Sequence, residues 1–368
     1  MRRLSIFALL MVGLNASVQA QGDKAPESFY RFLTGTVADQ PVSMQWQKAG
    51  DEVRAAYEYQ EYGQKIELEF IKDSSSVKSL FFSEGLNEDR EPVDVPIWQV
   101  HIQDGKLTGQ WRSADGSENY DIFLEENYPE GVQRFDYLSK DTSAVINPPD
   151  TSSPAINLQI IVPKATGAGD KAKWLNGKVK HIMEFDTGRS LSENLIAWTD
   201  SNIVNYRTFR DGYLARNSPI WNWDNIERLW VSYNQHNYVT YTSEGYNYSG
   251  GAHGMSWKRY YPYDLKNESE LQLSDIVLAD STELQPLLEA QFRVDNNLGS
   301  TEPLTEYLFE DKLMPNDNYS FSNDGLCFTY GQYEIAPYAY GIITVVITWK
   351  QLKPYINPVF ADRMQLKL

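Results

Sequence analysis

Val42-Ser43-Met44-Gln45-Trp46, the turn Lys48-Ala49-Gly50-Asp51, Val53-Arg54-Ala55-Ala56-Tyr57-Glu58-Tyr59 and, past Gly63, Ile66-Glu67-Leu68-Glu69-Phe70 decide the fold of the first part of the chain. Apolar and polar residues alternate along each segment. That is the period of a strand with one buried face, and the Gly- and Asp-bearing gaps are turn chemistry. The pattern returns as Trp98-Gln99-Val100-His101-Ile102, a turn at Asp104-Gly105, Leu107 to Trp111, a turn at Asp115-Gly116 and Tyr120 to Leu124. Val53 and Leu107 hold equivalent places, 54 residues apart. A duplicated three-strand meander follows, so residues 21–141 are predicted to form an all-β antiparallel meander domain, barrel-like or strongly curved.

Working outward, the run from Asp141 to Pro154 carries three prolines among small polar residues, the composition of an extended linker, predicted over 142–155. Residues 156–368 mix element types. Ile156 to Val162 alternates as a strand, and Ala172, Leu175, Val179, Ile182 and Met183 recur as one helix face. A second helix is predicted from Ser192, as N-cap, to Tyr213, and a later one from Asp280 or Ser281. Ile226 to Tyr233 and Tyr238 to Thr242 read as strands joined across Asn234 to Asn237. Near the end come Asn318 to Phe321, a turn at Asn323-Asp324-Gly325, Leu326 to Tyr330 and the β-branched run Ile342 to Thr348. This predicts an α+β domain around an antiparallel sheet.

The 368 residues are 42% hydrophobic, enough for two cores, and 33 basic against 50 acidic residues give a formal charge of −17. Such a field repels nucleic acid and anionic lipid, so no nucleic-acid partner is expected and partners should be neutral or cationic. Residues 1–20 read as a cleavable signal peptide. Arg2 and Arg3 are its basic start, Leu4 to Leu14 its apolar stretch, and Val18 and Ala20 its small-residue cleavage site. A periplasmic or secreted location is the expectation, with cleavage near Ala20, and the mature charge becomes −19 once the two arginines are removed. The apolar stretch is well short of the ~20 residues that span a bilayer, and no transmembrane anchor is expected. Cys327 is the single cysteine, so both cores are expected to stand on packing alone.

Catalytic signatures are scarce. His101, His181, His236 and His253 show no ligand spacing, so no metal site is expected, and no nucleophile elbow, phosphate loop or dinucleotide fingerprint occurs, so no cofactor is expected either. The segment that stands out is Tyr246-Asn247-Tyr248-Ser249-Gly250-Gly251-Ala252-His253-Gly254. Its three glycines allow positive φ or close approach, and its histidine can donate, accept or change charge near neutral pH. Tyr248, Gly250, Gly251, His253 and Gly254 are therefore candidate ligand-binding residues; a turn whose histidine satisfies loop carbonyls is the plainer reading. In Tyr330-Gly331-Gln332-Tyr333-Glu334-Ile335-Ala336-Pro337-Tyr338-Ala339-Tyr340-Gly341 one carboxylate sits among four tyrosines, which adds Glu334 and Tyr338. Should Glu334 meet His253, the two could order both loops as an ion pair, or act as acid and base in an open cleft. Trp221 and Trp223 complete the set, because flat rings with polar edges near turns suit sugar faces and protein interfaces, although strands use the same residues for packing.

The turn Gly250-Gly251-Ala252-His253-Gly254, followed by Tyr263-Asp264-Leu265 and Leu271-Gln272-Leu273-Ser274-Asp275-Ile276, resembles the signature of a family named only as a domain of unknown function. Phe321 to Leu326, Tyr333 to Ala339 and Gly341 resemble its ending. These blocks span 226–356, and 156–225 is similar to the small domain that usually precedes it. Members of that family form the extracytoplasmic part of RsiV-type anti-sigma factors, which sense lysozyme by binding it, and non-catalytic modules on peptidoglycan deacetylases. The chain departs from both in showing neither a membrane helix nor a deacetylase zinc motif. The resemblance implies a binding module without an attached output, for a lysozyme-like hydrolase or a peptidoglycan-derived glycan. An envelope hydrolase using His253 and Glu334 is the alternative.

Overall fold

The computed structural model describes residues 28–61, 63, 65–71, 79–85, 94–167, 169–216 and 219–367. The expected leader over 1–20 lies outside the described residues. The two meanders close on themselves: β1 (Ser28–Val37), β2 (Gln40–Ala49), β3 (Glu52–Tyr59), β4 (Lys65–Ile71), β5 (Leu80–Ser83), β6 (Ile97–Gln103), β7 (Lys106–Arg112) and β8 (Asn119–Glu126) form an eight-stranded antiparallel barrel. β7 and β8 begin at Lys106 and Asn119, each 54 residues after the starts of β3 and β4 at Glu52 and Lys65.

Inward-facing residues fill the barrel, with Leu33, Met44, Trp46, Tyr57, Phe82, Trp98 and Leu124 in one cluster. The seam is the β1–β8 pairing, from Leu33 opposite Glu126 to Val37 opposite Ile122. There Gly35 lets the strands approach so closely that an added Cβ would lie 2.0 Å from the Phe123 carbonyl oxygen. At one end of the barrel Glu84 Oε1 accepts from the Tyr57 hydroxyl at 2.6 Å and from the indole nitrogens of Trp98 at 2.9 Å and Trp111 at 2.7 Å.

Residues 127–134 lead into β9 (Phe135–Val145), which pairs antiparallel with β10 (Ala155–Ala165) along its whole length. The run expected as a linker at 142–155 is therefore the tip of a hairpin. Its turn is closed by the Ile146 N–H on the Pro154 carbonyl at 2.9 Å. The polar composition belongs to an edge strand and a turn rather than to a spacer, since β9 ends its sheet. Three helices then cross over: α1 (Asp170–Ile182), α2 (Leu191–Arg207) and α3 (Arg210–Ala215). They return the chain as β11 (Trp223–Gln235), parallel to β10, before β12 (Tyr238–Tyr248), β13 (Met255–Asp264) and β14 (Ser269–Glu270) continue antiparallel in the order β14-β13-β12-β11-β10-β9.

Two predicted boundaries move. Ser190, not Ser192, caps α2, because only Ser190 has Glu193 three residues on to complete a capping box. The helix also stops before Tyr213, at Thr208, whose hydroxyl donates to the Asn205 carbonyl at 2.6 Å. The β11–β12 turn at His236-Asn237 has φ of +55° and +61°, the paired positive values of a hairpin turn that follows strand twist. The chain ends with α4 (Leu273–Ile276), α5 (Ser281–Asp295), the three-stranded antiparallel sheet β15 (Tyr319–Phe321), β16 (Gly325–Tyr330) and β17 (Ile343–Thr348), then α6 (Trp349–Leu352) and α7 (Pro358–Met364).

One face of the six-stranded sheet packs Leu229, Val231, Tyr241 and Tyr263 against Leu175, Val179 and Leu195 of α1 and α2. The sheet also meets the barrel, where Tyr30, Phe32 and Ala49 join the same buried cluster and polar contacts add to it. Gln47 donates to the Val231 carbonyl at 2.9 Å, and Arg228 pairs with Glu52 at 2.8 Å. The outer edge of β13 is finished by side chains: Asn318 donates to the Lys258 carbonyl at 2.8 Å and accepts the Tyr260 N–H at 3.0 Å, while Gln332 accepts the Ser256 N–H at 2.9 Å.

Barrel, large sheet and small sheet enclose a cavity of about 290 Å³, lined by Glu58, Trp230, Tyr260 and Cys327 among others. Burial pushes the Cys327 thiol up, away from the reactive thiolate. Burial also raises the Glu58 carboxyl, although Gln235 and Ser43 donate to it. A carboxyl raised in the folded state favours folding at low pH and loses that advantage as pH rises through its folded value. Glu58→Gln is thus expected to raise the thermal midpoint by a few degrees at pH ~8 and to leave it nearly unchanged at pH ~3, below the usual glutamate value. Equal midpoints at the higher pH in a thermal scan would contradict this.

Candidate functional site

Residues 249–254 join β12 to β13, and their glycines serve two different needs. Gly250 and Gly251 take φ of +95° and +100°, which side-chain-bearing residues rarely adopt. Gly254 instead lies flat on a ring: an added Cβ would stand 2.4 Å from Tyr246. The Tyr248 hydroxyl donates to the Gly251 carbonyl at 3.1 Å and holds the loop's first half.

The second half presents the histidine. His253 is exposed, and its ring stacks on Tyr338 with centroids 3.9 Å apart and 28° between planes. Its Nδ1 lies 3.0 Å from the Gly254 carbonyl oxygen, which also accepts the Tyr338 hydroxyl at 2.9 Å. With Nδ1–H donating there, Nε2 is left to face the Tyr333 hydroxyl at 3.4 Å.

Tyr333 is 51% exposed and holds φ of +65°, a left-handed conformation that costs a bulky residue energy. Glu334 maintains it. Its Oε2 accepts the Gly331 N–H at 2.7 Å, its Oε1 accepts from Asn316 at 2.8 Å, and its own N–H donates to the Gly331 carbonyl at 3.1 Å. Glu334 and His253, which could have paired had the fold brought them together, take separate partners, and Glu334 acts as the clasp of the turn that displays Tyr333. Tyr333 itself was not among the candidates; Gly331 two residues earlier marks a turn but not its hand.

Trp221 and Trp223 lie at the other end of the loop. Trp223 donates to the Ile220 carbonyl at 3.1 Å and packs on Tyr206 and Phe209 with centroids 5.1 and 5.0 Å away. Trp221 donates to the Arg216 carbonyl at 3.1 Å. An added Cβ on Gly250 would be 3.2 Å from the Ile220 carbonyl and 3.8 Å from Trp223 Nε1. The loop thus runs from Trp223 to Tyr338, and the candidates from Trp221 to Tyr338 form one continuous strip. Phe209 and Ile220, each 42% exposed, extend it. Tyr260, Tyr261 and Tyr263 lie inside β13.

The strip offers flat rings with polar edges and one imidazole. Among the described residues no group of three or more His, Cys, Asp or Glu is set to hold a metal ion, and no helix is long and apolar enough to cross a membrane.

Residues 274–350 match the model of a family described as "Protein of unknown function (DUF3298)". That span holds the 331–338 turn but not the 249–254 loop. A solved structure of a DUF3298 family member from Bacteroides fragilis NCTC 9343 aligns with a TM-score of 0.57 at 24% identity, covering 63% of this chain and 98% of that one. A DUF3298 family protein from Pseudomonas aeruginosa PAO1 aligns with a TM-score of 0.44 at 18% identity, covering 61% and 95%. The first likeness is one of fold. No curated protein matches the chain.

Proposed function

We propose that the chain is an exported binding protein of the cell envelope, and that the strip around His253, Tyr333 and Tyr338 recognises a lysozyme-like hydrolase or a peptidoglycan-derived glycan. The observation that carries the reading is Tyr333: a large ring held exposed in a left-handed turn beside an exposed imidazole stacked on Tyr338. Strain of this kind costs about 1–3 kcal/mol and concentrates at ligand clamps. Exposed tyrosines supply large contact area at small entropic cost. The resemblance to lysozyme-sensing modules supports the choice of ligand, and the formal charge of −17 suits a cationic protein whose association weakens as salt rises.

Isothermal titration of the full chain against lysozyme and against muropeptides tests it. At least one is expected to bind, and the double change His253→Ala, Tyr333→Ala is expected to weaken that binding about tenfold or more, the loss of about 1.4 kcal/mol or more. Absence of heat with both ligands ends the reading.

A further inference from the structure

Next to this strip lies a larger feature that no part of the loop chemistry uses. α1 and α2 cover only part of their face of the sheet. Beyond the C-terminus of α1 that face is open, and it forms the floor of a groove of about 880 Å³. Its far wall is the segment 316–318 with the turn that holds Glu334.

The floor follows from strand register. On β11, β12 and β13, Glu227 stands opposite Gly245 and Gly245 opposite Trp257. Gly245 has no side chain to lift the indole: an added Cβ would be 2.2 Å from the Trp257 ring. Trp257 therefore lies flat on the strand. Two residues further along each time, Arg259 and then Tyr261 share its face, so Trp257 and Tyr261 are on the order of 13 Å apart at strand rise. Trp198 of α2 adds a third ring, fixed by donating to Glu227 at 3.3 Å. All three rings are only partly buried.

We infer that this groove is a binding site for an unbranched oligosaccharide of neutral or amino-bearing hexoses, lying along β13 with a ring face on Trp257. The inference rests on the reading of the chain as an envelope binding protein and assigns it a glycan subsite separate from the His253 strip. A flat aromatic platform matches the apolar face of a sugar ring, and the polar groups around it match its hydroxyls and amides. Charge narrows the class. Glu184, Glu227, Asp317 and Glu334 line the groove; Arg259 shares its floor and is already paired with Asp317 at 3.0 Å, while Lys258 alternates to the other face of the sheet, over the Tyr260 ring. The remaining acidic excess repels a polyanionic glycan and accepts a neutral or cationic one. Burial raises the Glu227 carboxyl, with Glu184 adding to the shift and the Trp198 hydrogen bond opposing it.

The test titrates the full chain, labelled with nitrogen-15, with three probes: chitohexaose, its de-N-acetylated cationic counterpart and an oligogalacturonate of similar length. The indole N–H signals of the ten tryptophans report the site directly. Chitohexaose and the cationic probe are expected to shift the signals of Trp198 and Trp257 while those of the barrel residues Trp46 and Trp98 stay in place. The oligogalacturonate is expected to shift none. Trp257→Ala is expected to weaken binding of chitohexaose at least tenfold by calorimetry, with Trp257→Phe retaining most of it. Shifts confined to Trp221 and Trp223, equal binding of the anionic probe, or binding that survives Trp257→Ala would each overturn the groove assignment. If neither sugar binds while the same preparation still binds lysozyme, the groove assignment fails and the binding-protein reading stands; if lysozyme and muropeptides also give no heat, both fail.

Discussion

Glu84→Ala is expected to cost the protein about 4 kcal/mol and to open the barrel first. One carboxylate oxygen receives three donors, and two of the donating residues, Tyr57 and Trp98, are 2% and 0% exposed. Each buried donor left without a partner costs about 1–3 kcal/mol, and a bond to a charged acceptor is stronger than a neutral one. The three donors converge from β3, β6 and β7 on a single atom, so its removal deprives all three of that acceptor at once. Glu84→Gln keeps an acceptor oxygen at that point and should recover most of the loss. Urea unfolding followed by tryptophan fluorescence measures both variants. An alanine variant within about 1 kcal/mol of the parent would show that water replaces the carboxylate without penalty.

Gly35→Ala comes next, at about 3 kcal/mol or more. Its backbone is ordinary, so conformational strain plays no part; the cost is space. The added methyl would sit 2.0 Å from the Phe123 carbonyl oxygen and 2.8 Å from the Leu124 Cα, both backbone atoms of the strand that closes the barrel. Overpacking typically costs about 1–3 kcal/mol when side chains can yield, and here the neighbour is a hydrogen-bonded strand that cannot. Gly109 meets the same obstacle on β7, 2.1 Å from the Gln99 carbonyl oxygen. Gly116→Ala is the control: it takes φ of +69° in an open turn with nothing within 4 Å, so only the smaller conformational cost applies. Thermal unfolding that ranks Gly116→Ala below Gly35→Ala in stability would refute the argument from space.

The two glycines also show what the amino-acid order conveys and what it hides. Alternation in Val42 to Phe70 and again in Trp98 to Leu124 marks the strands, because a half-buried strand must alternate whatever it pairs with. Closure is invisible at that level, since it depends on β1 meeting β8 some ninety residues later along the chain. The same limit explains β9. Its polar residues face water at a sheet edge, which is locally indistinguishable from a spacer. In the site, the candidates from Trp221 to Tyr338 were legible because glycine and aromatic residues cluster along the chain there. The groove was not. Trp198 comes from a helix and Trp257 from a strand, and only strand register sets Gly245 against Trp257. The readable trace was the alternation Trp257, Arg259, Tyr261, with a glycine in the preceding strand.

The amides of Asn318 and Gln332 have a consequence for self-association. An exposed ribbon edge is a template on which another copy can add a strand, and repetition of that step yields a polymer. By bridging the Lys258 carbonyl and the Tyr260 N–H, Asn318 imitates one residue of the missing neighbour and leaves no matching ladder for an incoming chain. Blocking strand addition at this edge thus falls to one asparagine and one glutamine contributed by distant loops.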